Sequence, residues 1–320
     1  MTMNELAKLA NVSVSTVSKA FSDAADVSED TKDLIFAIAK EQGCFGKFYK
    51  GKYHKKIIAI ICHELKGNYY TAFVDQLKGL IEASDNIAIV ATDNFNKAQQ
   101  AELIEYFSSY LKVDGIIVFG LTGKIKKGYD VPVVSVLSNC DSNTDCVKVD
   151  FKAAFLSAAN LLIDYGHKKI GFIGEALTTA KADMFKKTMD VANITDYKIV
   201  QSQKRFEEAG IDGVKQLLDS GFRPTALVCA YDHIAFGAIR QLKTAGYKVP
   251  DDVSVIGLDN ISMDEYTETT VTSVGANPSD ICTIAWDLLQ KKMKNPYFKS
   301  NQKIIVSSEL VVRESVKRVE

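Results

Sequence analysis

At 320 residues the chain is long enough for two or three folded units, and 47% hydrophobic with 25% charged residues is a soluble globular composition. No run approaches a membrane span and Met1 leads into a polar segment, so neither a membrane protein nor a secretory leader is expected. The six cysteines and four histidines are scattered without a CxxC pair or a spaced cluster, so no metal or disulfide framework is expected, only buried thiols in a reducing cytosol.

The first elements are two short helices joined by a tight turn. Leu6, Leu9 and Ala10 fall at i, i+3, i+4 and form one apolar face. Asn11 stands where the turn needs positive φ. Ser13 is the expected N-cap of the second helix, whose Val17 and Phe21 face inward. Ser15, Thr16, Ser18 and Lys19 remain outside, a hydroxyl-rich face ending in a cation. Such a face suits DNA, since hydroxyls and helix-terminal N–H groups hold phosphates while a few side chains reach base edges. A third helix follows, with Ser28 as N-cap, acids in its first turn and Gly43 past its end. Residues 1–56 hold 9 lysines against 7 acids, and Lys47, Lys50, Lys52, Lys55 and Lys56 meet no acid between them. Beyond a helix-turn-helix, that run is expected along phosphates.

From Ile57 short apolar strands alternate with helical segments. Strands are expected at 57–61, 87–91, 115–119 and 133–136, with helices at 69–83 and 99–111. The alternation restarts with helices at 151–165, 181–192, 211–220, 233–245 and 280–294. The strands of this second series are expected at 170–173, near 199, and at 226–229, 254–258 and 304–307. This is the pattern of two doubly wound parallel-sheet α/β lobes, with a ligand cleft beyond the strands' carboxyl ends.

Val12-Ser13-x-x-Thr16-Val17-Ser18-Lys19 and Val27-Ser28-x-x-Thr31 resemble the headpiece of the LacI/GalR family of bacterial regulators. The likeness continues through Asp114-Gly115-Ile116-Ile117, the Gly166–Gly174 run, Asp232-x-x-Ala235-x-Gly237, Val249-Pro250-x-Asp252-Val253-Ser254-Val255-Ile256-Gly257-x-Asp259 and the Glu309–Ser315 run. It implies an all-α helix-turn-helix headpiece at 1–46, a basic hinge at 47–56 and an effector-binding and dimerisation core at 57–320, similar to periplasmic sugar-binding proteins. Lobe 1 is expected at about 57–140 and 276–300, and lobe 2 at about 148–275 and 301–320. Three crossings fall near 138–149, 274–278 and 299–303.

By the same resemblance Val14 and Ser15 face bases, Val14 through a thymine methyl. Ser13, Thr16 and Ser18 hold phosphates, and Lys19 reaches a guanine or a phosphate. Met3, Asn4, Ser22, Val27, Ser28 and Thr31 line the backbone, with Lys47 and Lys50 beyond. The family's hinge helix reads Gly-Tyr-x-Pro-Asn-x-x-Ala-Arg-x-Leu. Here Gly43-Cys44-Phe45-Gly46-Lys47-Phe48-Tyr49-Lys50-Gly51-Lys52-Tyr53 lacks its proline, Ala-Arg and leucine, which removes the expected minor-groove wedge.

A sugar needs hydroxyl-clamping side chains and flat apolar rings. His63, Asn68, Tyr69, Tyr70, Asp93, Lys181, Tyr231, Asp232 and Asp259 are the candidates at strand ends and helix starts. Lys181 replaces the family's effector-forking arginine and so offers a point charge. Each candidate also has an ordinary reading: Tyr69 as core, Lys181 as solvated, Asp232 as a helix cap. The function implied is a homodimeric, cytoplasmic, nucleoid-associated repressor of operator DNA, controlled by a small carbohydrate. No metal or cofactor is expected and no enzyme, since phosphate-binding Gly loops and Ser/His/Asp constellations are missing. The alternatives are control by a protein corepressor, or a plain sugar-binding protein.

Overall fold

The computed structural model describes residues 1–22, 24–49, 55–121, 123, 125, 131–138, 143–295 and 300–319. Contacts divide the chain into two compact units, Met1–Lys56 and Ile57–Glu320.

The first unit is helical. Helix α1 spans Met3–Leu9, and Thr2 and Glu5 close a reciprocal cap at its start. Asn11 takes φ 52° in the turn, as its tolerance of the left-handed region predicts. Helix α2, Val14–Phe21, starts at Ser13, whose hydroxyl accepts from Thr16 N–H at 3.0 Å. Helix α3, Glu29–Glu41, starts at Ser28 in the same way. Leu6, Ala10, Val17, Phe21, Ile35 and Ala39 fill the core between them. Leu9, expected beside Leu6, is 54% exposed, and Ala7 is buried in the core with Leu6 and Ala10.

A fourth short helix, α4 (Phe45–Phe48), was not expected. Phe48 is buried against Phe21 with ring centroids 5.8 Å apart. Phe36 meets Phe45 edge-on at 5.3 Å, and Tyr49 stacks on Phe45 at 4.6 Å. Offset and edge-to-face pairs of this kind add to the area each ring buries. Headpiece packing therefore runs through Tyr49, past the expected boundary at 46. The hinge residues 50–54 lie outside the described residues.

The second unit holds two six-stranded sheets. The first is built from β1 (Ile57–Cys62), β2 (Ile87–Thr92), β3 (Gly115–Phe119), β4 (Val133–Val136), β5 (Asp145–Val149) and β11 (Lys303–Val306). Its order is β11-β5-β4-β3-β1-β2, all parallel. Helices α5 (Asn68–Ala83), α6 (Lys97–Glu105) and α11 (Pro278–Lys294) accompany it. Sequence reading extended α6 to 111, but residues 106–110 widen into a π-helical turn.

The second sheet contains β6 (Lys169–Glu175), β7 (Asp196–Ser202), β8 (Ala226–Cys229), β9 (Ser254–Gly257), β10 (Thr272–Gly275) and β12 (Glu309–Val311). Its order is β12-β10-β9-β8-β6-β7, parallel except for β12 against β10. Helices α7 (Phe151–Asp164), α8 (Thr179–Val191), α9 (Phe206–Asp219) and α10 (Asp232–Thr244) cover it. Strands β1, β3 and β8 are continuous apolar runs because both faces are covered.

The chain passes between lobes after β5, after β10 and after β11. The third passage thus lies at 306–309 and not 299–303. Strand β11, expected in lobe 2, completes the sheet of lobe 1 by pairing with β5. The expectation of thiols alone also needs correcting: Cys146 on β5 is disulfide-bonded, a link that spacing did not signal. Cys44, Cys62, Cys229 and Cys282 are buried free thiols. Among the described residues no helix is long and apolar enough to cross a membrane.

Candidate functional site

On the headpiece, the outer face of α2 is displayed as its capping and periodicity require. Val17 and Phe21 are buried, Val14 is 41% exposed, and Ser15, Ser18 and Lys19 face solvent. Thr16 and Thr31 exchange hydroxyl hydrogen bonds with their caps Ser13 and Ser28, each at 2.8 Å. Asn4 is exposed and Met3 packs partly into the core. The Ser22 hydroxyl donates to Lys19 C=O at 3.1 Å. Val27 is 7% exposed and its side chain packs in the headpiece core. Lys19 is outward but ion-paired with Asp26, and that bond holds the Asp26 carboxyl below the usual range. Lys47 donates to Met1 C=O at 3.0 Å and lies over the Phe48 ring. Lys50 lies outside the described residues.

Within the core unit, the carboxyl ends of both sheets face a cavity of about 140 Å³, close to the ~150 Å³ that accommodates one six-membered ring. Tyr69, Tyr70, Asn68, Lys181, Tyr231 and Asp259 line it, as expected. Lys181 Nζ donates to Ala230 C=O at 2.6 Å and lies 3.5 Å from both Leu258 C=O and Asp259 Oδ1. Burial pushes the Asp259 carboxyl up to about 7, with Lys181 opposing and Asp232 adding to the rise. Burial likewise raises the Tyr69, Tyr70 and Tyr231 hydroxyls, so all three stay protonated donors.

Three expected residues are absent from the lining. Asp232 is fully buried, accepting from Ser273 Oγ at 2.6 Å and Ile261 N–H at 3.0 Å. It ties α10 to β10, an unsolvated carboxylate being tolerable only with such partners. Asp93 is also fully buried, accepting from His63 Nδ1, Phe95 N–H and Gln100 Nε2. His63, held by Asp93 at 2.8 Å, stacks on Phe95 at 4.5 Å and acts behind the wall.

The strongest polar feature of the cavity was missed. Arg205, just before α9, forks both oxygens of Glu64 at 2.8 Å and turns Nε to Glu175 at 3.1 Å. Its guanidinium lies 4.7 Å from the Phe206 ring centroid and 5.4 Å from that of Phe95. The bonds to Glu64 hold it firmly protonated. Glu64 follows β1 and Glu175 ends β6, so this cluster joins the two lobes. Tyr231 donates to Glu175 at 2.9 Å and accepts from Phe206 N–H at 3.0 Å. Phe206 takes φ 54°, a strained value for a bulky residue and of the kind that clusters at ligand sites. Gly67 opens the wall opposite: a Cβ there would stand 3.0 Å from Phe206 and 3.4 Å from His233. Asn68 N–H then reaches His233 Nε2 at 3.4 Å, while His233 Nδ1 donates to Glu207. Glu175 was findable, since it closes an apolar strand run at a carboxyl end. Arg205 sits in no pattern that periodicity marks.

Residues 2–43 match the model of bacterial regulatory proteins of the lacI family, and residues 159–316 that of the periplasmic binding protein-like domain. The ribose operon repressor of Haemophilus influenzae is 24% identical over 330 residues, covering 98% of each chain. The HTH-type transcriptional repressor PurR of Salmonella paratyphi B is 28% identical over 336 residues, covering 98% of this chain and 96% of its own. The lac repressor dimer bound to operator and the anti-inducer ONPF superposes with a TM-score of 0.75 at 18% identity, over 99% of each chain. A lacI-type helix-turn-helix unit precedes two parallel-sheet lobes of periplasmic-binding-protein type, and the chain belongs to the lacI family of bacterial regulatory proteins.

Proposed function

We propose that this chain is a sequence-specific transcriptional repressor whose operator affinity is set by a small, sugar-like ligand in the inter-lobe cleft. The observation that carries the reading is the outer face of α2, where Val14, Ser15, Ser18 and Lys19 stand clear above a buried Val17 and Phe21. Those four side chains meet the major groove, Val14 through a methyl contact and Lys19 through a guanine edge or a phosphate. Asn4, Ser22 and the capped N-termini of α2 and α3 meet phosphates. The chain acts as a homodimer in the cytoplasm, because one headpiece makes too few contacts for tight binding and two reach half-sites one turn apart. Its work is binding and not catalysis. Names of relatives support the ligand class: one represses a ribose operon, and the operator-bound lac repressor carries a small anti-inducer.

In the cleft, Tyr69, Tyr70, Phe206 and Phe95 offer ring faces, while Asp259, Glu64 and Glu175 offer acceptors. A ligand that changes the spacing of the two lobes changes the seat of the paired headpieces, a coupling of about 1–3 kcal/mol. Selection of bound duplexes from a random library, then anisotropy titration with and without D-ribose and related sugars, tests this. A two-fold symmetric consensus whose affinity moves at least fivefold with a sugar is expected. A chain that retains no preferred duplex overturns the regulator reading, and one indifferent to every sugar overturns the ligand.

A further inference from the structure

Among the described residues the inward cations of the cleft are Lys181 and Arg205, and both are already paired by the protein's own acceptors. Arg205 is forked by Glu64 and bonded by Glu175, two carboxylates around one guanidinium. Its faces lie against Phe95 and Phe206. Lys181 has three N–H donors and three acceptors within 3.5 Å, namely Ala230 C=O, Leu258 C=O and Asp259. Lys66 stands exposed at the rim, where solvent and salt screen it. The inner wall therefore shows carboxylate lone pairs left over after the internal bonds are made, together with apolar ring faces.

We propose that this cleft selects an uncharged polyhydroxylated ligand and rejects phosphorylated or carboxylated ones, because Arg205 and Lys181 are neutralised by the protein's own acceptors. The inference rests on the ligand reading above and narrows it. A hydroxyl donates to a carboxylate oxygen of Glu64, Glu175 or Asp259 without disturbing the Arg205 fork. A phosphate brings acceptors only, so it must either break that fork or sit against like charge. Free cations would have given the opposite preference, as arginine's fork matches phosphate geometry when nothing else holds it.

The test is calorimetric titration of the full chain at pH 7.5 and low salt with paired probes. These are D-ribose and D-glucose against D-ribose 5-phosphate, D-glucose 6-phosphate and D-gluconate. At least one neutral sugar should bind ten or more times tighter than its charged partner. Glu64→Gln, which releases one arm of Arg205, should shrink that ratio severalfold. A phosphate ester that binds as tightly as its parent sugar overturns the charge selection while leaving a ligand-responsive cleft in place. An unchanged ratio in a folded Glu64→Gln protein overturns the assigned cause. Should the variant not fold, the wild-type pairs decide alone, and no binding by any probe removes the ligand reading and this inference together.

Discussion

Lys19 on the headpiece and Arg205 in the core are both cations placed where a ligand is expected, and both are held by carboxylates of the same chain. They differ in surroundings. Lys19 and Asp26 are each at least half exposed, so water and salt compete for both charges. Arg205 meets a Glu64 side chain that is 10% exposed and a Glu175 side chain that is 2% exposed, between two aromatic rings. An exposed pair of that kind surrenders its cation to a phosphate at little cost. A desolvated fork does not, since parting it leaves an uncompensated buried carboxylate. The contrast teaches that a cation in a binding region is read by its partners' burial before it is read by its charge.

The comparison requires that the headpiece hold its own fold, and Phe21→Ala breaks that requirement most directly. Phe21 is 3% exposed and packs against Phe36, Phe45, Phe48 and Tyr49. Truncating a buried aromatic costs about 3–5 kcal/mol, more than a unit of this size has to spare. DNA binding should vanish while the core's thermal transition stays in place, which calorimetry and a gel shift together would check. Retained operator binding would mean that the ring cluster is ornament to the headpiece.

Next in size is Arg205→Ala, which leaves Glu64 and Glu175 without their shared cation. Loss of one partner from a buried pair costs about 3–5 kcal/mol, discounted here to roughly 2 because Arg205 is about a third exposed. Urea unfolding of the core should show it, and restoring little with Lys would confirm that the fork, and not the charge alone, carries the effect. A core as stable as wild type would place Arg205 among the exposed pairs, beside Lys19.

The two cations were not equally legible in the sequence. Lys19 follows Val17 by two in a periodic helix with a visible cap, so its outward position came from spacing. The sheets were legible for the same reason: runs such as Ile57–Cys62 and Ala226–Cys229 are apolar because they are covered on both faces. Strand β10, Thr272-Ser273-Val274-Gly275, was not, because its polar residues are satisfied by Asp232, Ser315 and Arg313 from far along the chain. Arg205 was missed on the same ground, for its partners lie 141 and 30 residues away and only the closure of two lobes joins them. Lys181, Tyr69 and Asp259, which family motifs mark, line the cavity. Asp232 and Asp93 lie outside its lining, and a carboxylate at a strand end reads alike whether it faces a ligand or a backbone N–H.

Asp259 sharpens the comparison by a titration. Its ordinary carboxyl value of 3.8 is raised to about 7 in the folded core, first by burial. Between about pH 4 and 7 the folded state therefore binds more protons than the unfolded chain, and stability falls as pH rises through that window. The slope from this one group is at most about 1.4 kcal/mol per pH unit. Asp264, raised to about 9 by burial and by Asp232, extends the decline to higher pH. Asp259→Asn should flatten the lower part of the curve and leave the upper part. An identical pH profile in the variant would show that Lys181 keeps Asp259 ionised throughout, as Asp26 is kept by Lys19.

The smallest effect is expected on the exposed side. Asp26→Asn removes the carboxylate that holds Lys19 and takes one negative charge from beside the face proposed to meet DNA. Because the pair is solvated, its loss should leave the headpiece fold unchanged, and Lys19 is then free to meet a phosphate or a guanine without first leaving a partner. Operator affinity should rise, by no more than severalfold, and the gain should shrink as salt is added because the competing carboxylate was already screened. Lys19→Ala in the same background should erase that gain, since the asparagine acts only through the lysine it releases. If Asp26→Asn weakened binding instead, the Lys19–Asp26 pair would be positioning the lysine as the Glu64 fork positions Arg205. The distinction between a lent cation and a committed one would then fail on the headpiece.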